Sequence, residues 1–255
     1  MKIYKAYAKV NTFLKITGVR GDYHEIISRF MRVENLYDEL SFEKKEIQDF
    51  KIIGDFSCTT EQNTIYKAYT ALLKYTKSES LKNLMQTYAV KVDKSIPAFA
   101  GLGGGSSDAA TYLKMCNEVL HLDLSIKELA EIGLEVGADV PFFIYGYDSA
   151  NVGGIGEIVE KYDEALLNFD VCTPKVEIST PKVYKSYRAN FFDPIDETEV
   201  KRLKNTTSLE ILNSYTPEEA NDLFKPALKE YPELKKHQKD GYYFSGSGSS
   251  FFKVV

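Results

Sequence analysis

Cysteine is scarce in this chain of 255 residues: Cys58, Cys116 and Cys172 are odd in number and far apart. That argues against a disulfide framework or a zinc cage and leaves them as buried or unreactive thiols. Nor is there an excess of positive charge, since 32 Lys and Arg stand against 37 Asp and Glu for a net charge of -5. A nucleic-acid backbone or an anionic membrane would find no overall electrostatic footprint, so any phosphate binding has to be local. Long apolar runs are missing too. Nothing approaches the length needed to cross a bilayer, and residues 1–7 lack a continuous apolar signal segment, so a cytoplasmic protein with no membrane partner is expected. Internal repeats, low-complexity tracts and heptads are likewise not found. What is present, 44% hydrophobic and 27% charged residues, is ordinary globular composition with room for one large core or two modest ones.

Against that background one stretch stands out: Pro97-Ala98-Phe99-Ala100-Gly101-Leu102-Gly103-Gly104-Gly105-Ser106-Ser107-Asp108-Ala109-Ala110. Glycines permit positive φ and close backbone approach, and Ser-Ser-Asp-Ala-Ala can begin a helix, so successive N–H groups can converge on an anion. No Gly-Lys-Ser/Thr closes the loop, and Ser106 stands where a G-x-G-x-x-G pattern needs its last glycine. The two commonest phosphate motifs are thereby excluded. A flexible structural loop and an anion cradle both remain.

Before this loop, Ala6, Ala8, Val10, Leu14 and Ile16 alternate with Lys9, Asn11 and Lys15, which predicts a strand: either an amphipathic edge with solvated lysines or one that presents Lys9 and Asn11 side by side. Residues 18–22 read as a turn. Strands follow at 26–33 and 40–42, then a solvated charged segment at 43–46. Tyr23 and His24, at the mouth of the first of these, can grip a planar base or simply pack. Asn63-Thr64-Ile65 opens a helix, and Val90 and Val92 mark the strand leading into the glycine loop.

Beyond the loop, the apolar face Ala109, Leu113, Cys116, Leu120 predicts a helix whose N-terminus lies in the loop. Ser125-Ile126-Lys127-Glu128 is a capping-box pattern that starts the next. Asp139 follows, and Pro141 favours an extended path into a buried strand at 142–144, which leaves this carboxylate either paired or on an exposed loop. Composition shifts toward glycine at 151–156, which places a domain boundary there: residues 1–152 form an N-terminal domain and 153–255 a C-terminal one. In the latter, 171–178 reads as a strand, 198–212 as a helix and Thr216-Pro217-Glu218-Glu219 as a capped helix start. The chain closes with two strands around Ser245-Gly246-Ser247-Gly248-Ser249-Ser250, a tight hairpin or a backbone platform beside phosphates.

Taken together, Pro97-x3-Gly101-Leu102-Gly103-x-Gly105-Ser106-Ser107-Asp108-Ala109 resembles the central motif of the GHMP kinase superfamily. Residues 8–16 resemble that superfamily's first motif, and residues 244–250 its third, in the same order and spacing. Within it, Asp22-Tyr23-His24-Glu25, residues 137–143 and Ile178-Ser179-Thr180-Pro181 are similar to the branch that acts on 4-diphosphocytidyl-2-C-methyl-D-erythritol in non-mevalonate isoprenoid synthesis. The matches run from Lys9 to Phe251.

The resemblance implies an α+β fold of two domains, one like the second domain of ribosomal protein S5 and one ferredoxin-like. It implies transfer of the γ-phosphoryl of ATP, with Mg2+, to a hydroxyl of the cytidine-diphosphate-linked substrate. Asp139 would take the hydroxyl proton, while Lys9 orients that hydroxyl and offsets charge on the phosphoryl. Pro97, Gly101, Leu102, Gly103, Gly104, Gly105, Ser106 and Ser107 would cradle ATP, Asn63 would lie toward the adenosine, and Ser107 could touch the metal. Tyr23 and His24 would hold the cytosine with Tyr184 on its other face, while Asn11 and Thr180 position the polar tail. Ser245, Gly246, Ser247 and Gly248 form the third-motif loop. The branch often has glycines where Phe99 and Ala100 stand, and a glycine between Asp22 and Tyr23. A monomer or homodimer is expected. The competing expectations are a homoserine or mevalonate type of GHMP kinase, the former disfavoured because it lacks the Asp139 base, and a non-catalytic nucleic-acid-binding module, disfavoured by net acidity.

Overall fold

The structure, a computed structural model, describes residues 2–46 and 48–255. The chain begins with two long strands, Tyr4–Arg20 (β1) and Tyr23–Lys44 (β2), and a short one, Ile52–Ile53 (β3). Helices Thr64–Thr76 (α1) and Glu79–Thr87 (α2) lead to strand Tyr88–Asp93 (β4), followed by helices Gly104–Leu120 (α3), Ile126–Leu134 (α4) and Val140–Tyr145 (α5). Strands Ser149–Gly154 (β5), Ile158–Lys161 (β6) and Phe169–Cys172 (β7) come next, then helices Thr180–Asn190 (α6), Glu197–Asn205 (α7), Ser208–Ser214 (α8), Pro217–Ala220 (α9) and Phe224–Glu230 (α10). A 3-10 segment, Pro232–His237, precedes the closing strands Tyr243–Phe244 (β8) and Phe251–Val254 (β9).

Two compact units share this chain. The first takes residues 2–8, Glu34–Ile96 and Gly104–Gly146; the second takes Lys9–Val33, Pro97–Gly103 and Tyr147–Val255. In the first, the C-terminal half of β2 pairs antiparallel with β4, from Glu39 opposite Asp93 to Lys44 opposite Tyr88, and β3 adds parallel to β4. Helix α3 is the centre of this unit: α1, α4 and α5 pack on it, and Ala109, Ala110, Tyr112, Leu113, Met115 and Cys116 are all buried. A helix apolar on several faces has to be surrounded in this way. In α1, Ile65, Ala68 and Leu72 form the buried stripe, and the Asn63 carboxamide oxygen accepts the Ile65 N–H at 2.9 Å as the cap.

In the second unit, the N-terminal half of β2 pairs antiparallel with β5, from Ile26 opposite Gly154 to Met31 opposite Ser149, and β5 pairs with β6. A separate sheet has the order β7-β9-β8. The core of this unit joins Leu14, Ile16 and Ile26 to Ile178, Val183, Tyr187, Phe224, Phe244 and Phe251. Residues far apart in sequence therefore build one apolar cluster.

Several elements depart from the sequence reading. The strands expected at 26–33 and 40–42 are one strand, because residues 34–37 contain no glycine or proline to break it. Pro141 does not lead into a strand: residues 140–145 are α5, with Asp139 at the N-cap position and the proline in the first turn, where its missing N–H has no helical partner to lose. The strand expected over 171–178 stops at Cys172, just before Thr173-Pro174. The helix expected over 198–212 is two, α7 and α8, separated at Thr206-Thr207. The sequence boundary at 152/153 falls inside β5.

Candidate active site

Lys9 and Asn11 lie two apart on β1, so the pleat aims both side chains at one face. Both are buried, Lys9 to 3% exposure. The Lys9 ammonium donates to Asn11 Oδ1 at 2.7 Å and to the Gly101 carbonyl at 3.1 Å, and it lies 4.5 Å from the centre of the Phe30 ring. Asn11 is itself fixed, since its Nδ2 donates to Ser28 Oγ at 2.9 Å. A buried ammonium needs such oxygens to replace the water it has lost. The lysines of an edge strand are thus not all solvated.

The glycine loop and the third-motif loop meet back to back within the second unit. Ser245 Oγ donates to the Gly101 carbonyl at 3.0 Å, and the Ser250 N–H donates to the Ala100 carbonyl at 3.0 Å. A Cβ on Gly101 would sit 2.2 Å from the Ser245 carbonyl oxygen, so this glycine, at φ +72°, is required by the close approach as well as by its backbone. The Gly/Ser hairpin is pinned from beneath by buried Asn221, whose Nδ2 donates to the Phe244 and Gly246 carbonyls, each at 2.9 Å. Ser247 Oγ and Thr180 Oγ1 lie 2.6 Å apart, which brings the third-motif loop to the start of α6.

His24 and Tyr23 are consecutive in β2 and so take opposite faces. Tyr23 is 65% exposed, whereas His24 is buried beside Tyr184, ring centres 5.1 Å apart, and edge-on to Tyr187 at 5.8 Å. Burial first, and then the positive charge of Arg188, push the imidazole below its ordinary pKa. Its Nε2 is buried without a hydrogen-bond partner among the described residues. A neutral imidazole with an unspent ring nitrogen can bond one edge of a polar ring.

The first unit holds Asn63, Gly104, Gly105, Ser106, Ser107 and Asp139, whereas Pro97, Leu102 and Gly103 stay with Gly101 in the second, where the Leu102 carbonyl accepts the Lys9 N–H at 3.0 Å. Gly104, Gly105, Ser106 and Ser107 form the first turn of α3, whose opening N–H groups have no helical acceptor. Thr64 Oγ1, next to the cap residue Asn63, donates to the Gly105 carbonyl at 2.6 Å. Asp139, half-buried, occupies the N-cap position of α5, and its side chain makes no capping bond to that helix.

Two residues that sequence reasoning missed lie beneath this turn. The Lys94 ammonium bridges Asp38 Oδ2 and Asp108 Oδ2, the latter at 2.8 Å, and Asp38 Oδ1 accepts the Ser95 and Ile96 N–H groups at 2.6 and 2.8 Å. Burial pushes the Asp108 carboxyl up to about 7, with Asp38 adding and Lys94 opposing. Burial alone would lower Lys94, but the two carboxylates hold it above its ordinary value. The signal was available: Asp38 falls two residues before the buried Leu40, on the inward face of β2, where a carboxylate has to find partners.

Residues 63–147 match the family "GHMP kinases N terminal domain". The chain is 67% identical to the 4-diphosphocytidyl-2-C-methyl-D-erythritol kinase of Sulfurimonas denitrificans, covering 100% of this chain and 97% of that one. A crystal structure of 4-(cytidine 5'-diphospho)-2C-methyl-D-erythritol kinase superposes with a TM-score of 0.73 at 29% identity, covering 100% of this chain and 90% of the other. The Methanococcus jannaschii mevalonate kinase, at 16% identity and a TM-score of 0.58 over 100% of this chain and 90% of that one, shares the fold. The chain therefore has the two-domain, mixed α and β GHMP kinase fold and belongs to the 4-diphosphocytidyl-2-C-methyl-D-erythritol kinase family.

Proposed function

We propose that this chain transfers the γ-phosphoryl group of ATP to a hydroxyl of 4-diphosphocytidyl-2-C-methyl-D-erythritol, a step in making isoprenoid precursors. The observation that carries this is the 67% identity, over the whole chain, to a relative of that name. The geometry of the parts supports it. Phosphoryl transfer asks little covalent chemistry of a protein but needs fixed positive charge by the γ-phosphate and a carboxylate by the attacking hydroxyl. Lys9, held by Asn11 and Gly101, is a fixed cation of that kind.

In this reading the acceptor oxygen attacks the γ-phosphorus as the bond to the β,γ-bridging oxygen breaks. ADP leaves, and the hydroxyl proton passes to the Asp139 carboxylate. The first-turn N–H groups of α3, with the loop from Pro97, hold the phosphates, and Asn63 lies toward the adenosine. His24 bonds the cytosine edge and Tyr184 packs on the ring, while Tyr23, exposed on the opposite face of the strand, is left outside that contact. Asn11 and Thr180 hold the polar tail.

Magnesium fits the donor set. This ion keeps several waters and binds chiefly through phosphate oxygens and one or two protein oxygens. Among the described residues no three His, Cys, Asp or Glu side chains cluster as a cage, and the Ser107 hydroxyl at the start of α3 is the protein oxygen we assign to it. When bound, the ion neutralises charge on the β- and γ-phosphates.

The test is an ADP-release assay with the cytidyl substrate, homoserine and mevalonate in parallel. Turnover is expected with the cytidyl substrate, with the other two at background. Comparable or faster release with homoserine or mevalonate would assign the chain a different acceptor.

A further inference from the structure

We propose that Asp38, Lys94 and Asp108 form a clamp that closes the base of the phosphate loop and sets its affinity for ATP, making the two aspartates positioning residues of the reaction. This rests on the reading that ATP lies on that loop.

The chain leaves the first unit at Ile96 and returns to it at Gly104, with Pro97–Gly103 in between. Within the first unit the two ends of that excursion touch. A Cβ on Gly104 would lie 2.9 Å from Ile96 Cγ2 and 3.6 Å from Lys94 Nζ, so the glycine is what lets the ends close. Charge then locks them. Asp38 grips the departing strand by two N–H groups, Ser95 and Ile96, and Lys94 ties Asp38 to Asp108 on the returning helix. Both carboxylates are buried, Asp38 to 0% and Asp108 to 2% exposure. Thr64 adds a fifth bond, from α1 to the Gly105 carbonyl.

Burying two carboxylates and an ammonium is a costly way to add stability, since an apolar trio of similar volume often does as well. What the trio adds is direction: bonds at fixed angles that hold Ser95, Ile96 and α3 in one register. A loop of seven residues whose ends are fixed has few conformations left to lose when it closes on an anion. The middle of the loop is already held by the bonds of Ser245, Ser250 and Lys9 to Gly101 and Ala100, so what loss of the clamp leaves for the ligand to order is the register of Gly104 and the first turn of α3, and affinity falls.

Three variants test this by steady-state kinetics and by titration of a non-hydrolysable ATP analogue. Asp38→Asn keeps an oxygen for the two N–H groups but opposes Lys94 with an amide, and Asp108→Ala removes the other tie. In both, KM for ATP is expected to rise about tenfold or more, while kcat and KM for the cytidyl acceptor stay within about twofold. Asp108→Asn, whose amide oxygen still accepts from Lys94, is expected to return KM for ATP to within about threefold of the parent. If Asp108→Ala does not fold, Asp38→Asn carries the comparison. An unchanged KM for ATP in the folded disrupting variants, or a loss confined to kcat, overturns the clamp. Gly105→Asp separates this from failure of the underlying reading, because a carboxylate suits a helix N-terminus but repels phosphates. If Gly105→Asp leaves KM for ATP unchanged, ATP is not on this loop. If it raises KM while the clamp variants do not, only the clamp is wrong.

Discussion

An ammonium at 3% exposure keeps its charge only where oxygens stand in for water, and Lys9 has Asn11 Oδ1 and the Gly101 carbonyl in that place. Those oxygens set where the positive charge sits before any substrate arrives, which is what the proposed role of Lys9 beside the γ-phosphate requires, since a preorganised field costs no reorganisation during reaction. Asp139 carries the complementary expectation. Asp139→Asn keeps size and polarity but cannot take up the acceptor's proton, so kcat should fall about a hundred- to ten-thousandfold. Binding of ATP and of the cytidyl substrate should be retained, as measured by calorimetry. Turnover near that of the parent would remove Asp139 from the proton transfer. Lys9 and Asp139 were legible as candidates because each belongs to a contiguous motif. Asp38 and Lys94 were not, because their significance lies in a meeting between β2 and the end of β4, and no local pattern encodes which strands become neighbours.

At the scale of elements, helix periodicity located α1 and α4 well because each has a buried apolar stripe and a capping residue in the sequence, and it located α3 because apolar residues recur there at helical spacing, although that helix is buried on several faces. It failed between α7 and α8, where apolar spacing runs through the break. The break has two physical causes. Thr207 and Glu210 form a capping box that starts α8 afresh. Arg29, fully buried, donates to the carbonyls of Leu203, Lys204 and Thr206 at 3.2–3.3 Å, which ends α7. The same guanidinium pairs with Glu164 at 3.0 Å, bonds Asn151 Oδ1 at 2.8 Å and stacks 3.4 Å from the Tyr162 ring centre. One side chain thus organises β5, the segment after β6 and the end of α7. Arg29→Met keeps the length but leaves the buried Glu164 carboxylate held only by Ser149 and Ser208, without its cationic partner, and takes one donor from each of three carbonyls, and should cost about 3–5 kcal/mol of folding stability. Chemical denaturation would show it as a lower midpoint at an unchanged slope. A loss under about 1 kcal/mol would mean that water replaces the guanidinium without penalty.

For the whole molecule, the two units do not follow one another along the chain. Composition pointed to a change near residue 152, but it carries no information on which earlier segment completes which core. The core of the second unit draws Leu14, Ile16 and Ile26 from the start of the chain to meet Phe244 and Phe251 at its end. Residues 153–255 expressed alone would lack that contribution, and are expected to show no cooperative melting and little amide protection in hydrogen exchange. A sharp melting transition in that fragment would show that the C-terminal segment folds without β1 and β2. The same arrangement has a consequence during synthesis. At roughly 5–20 residues per second, the ribosome takes about ten to fifty seconds between releasing β1 and releasing β9. For that interval Leu14 and Ile16 have no core to enter, so the nascent chain displays an apolar strand to the cell, and to any chaperone waiting at the exit tunnel, until β9 has been made.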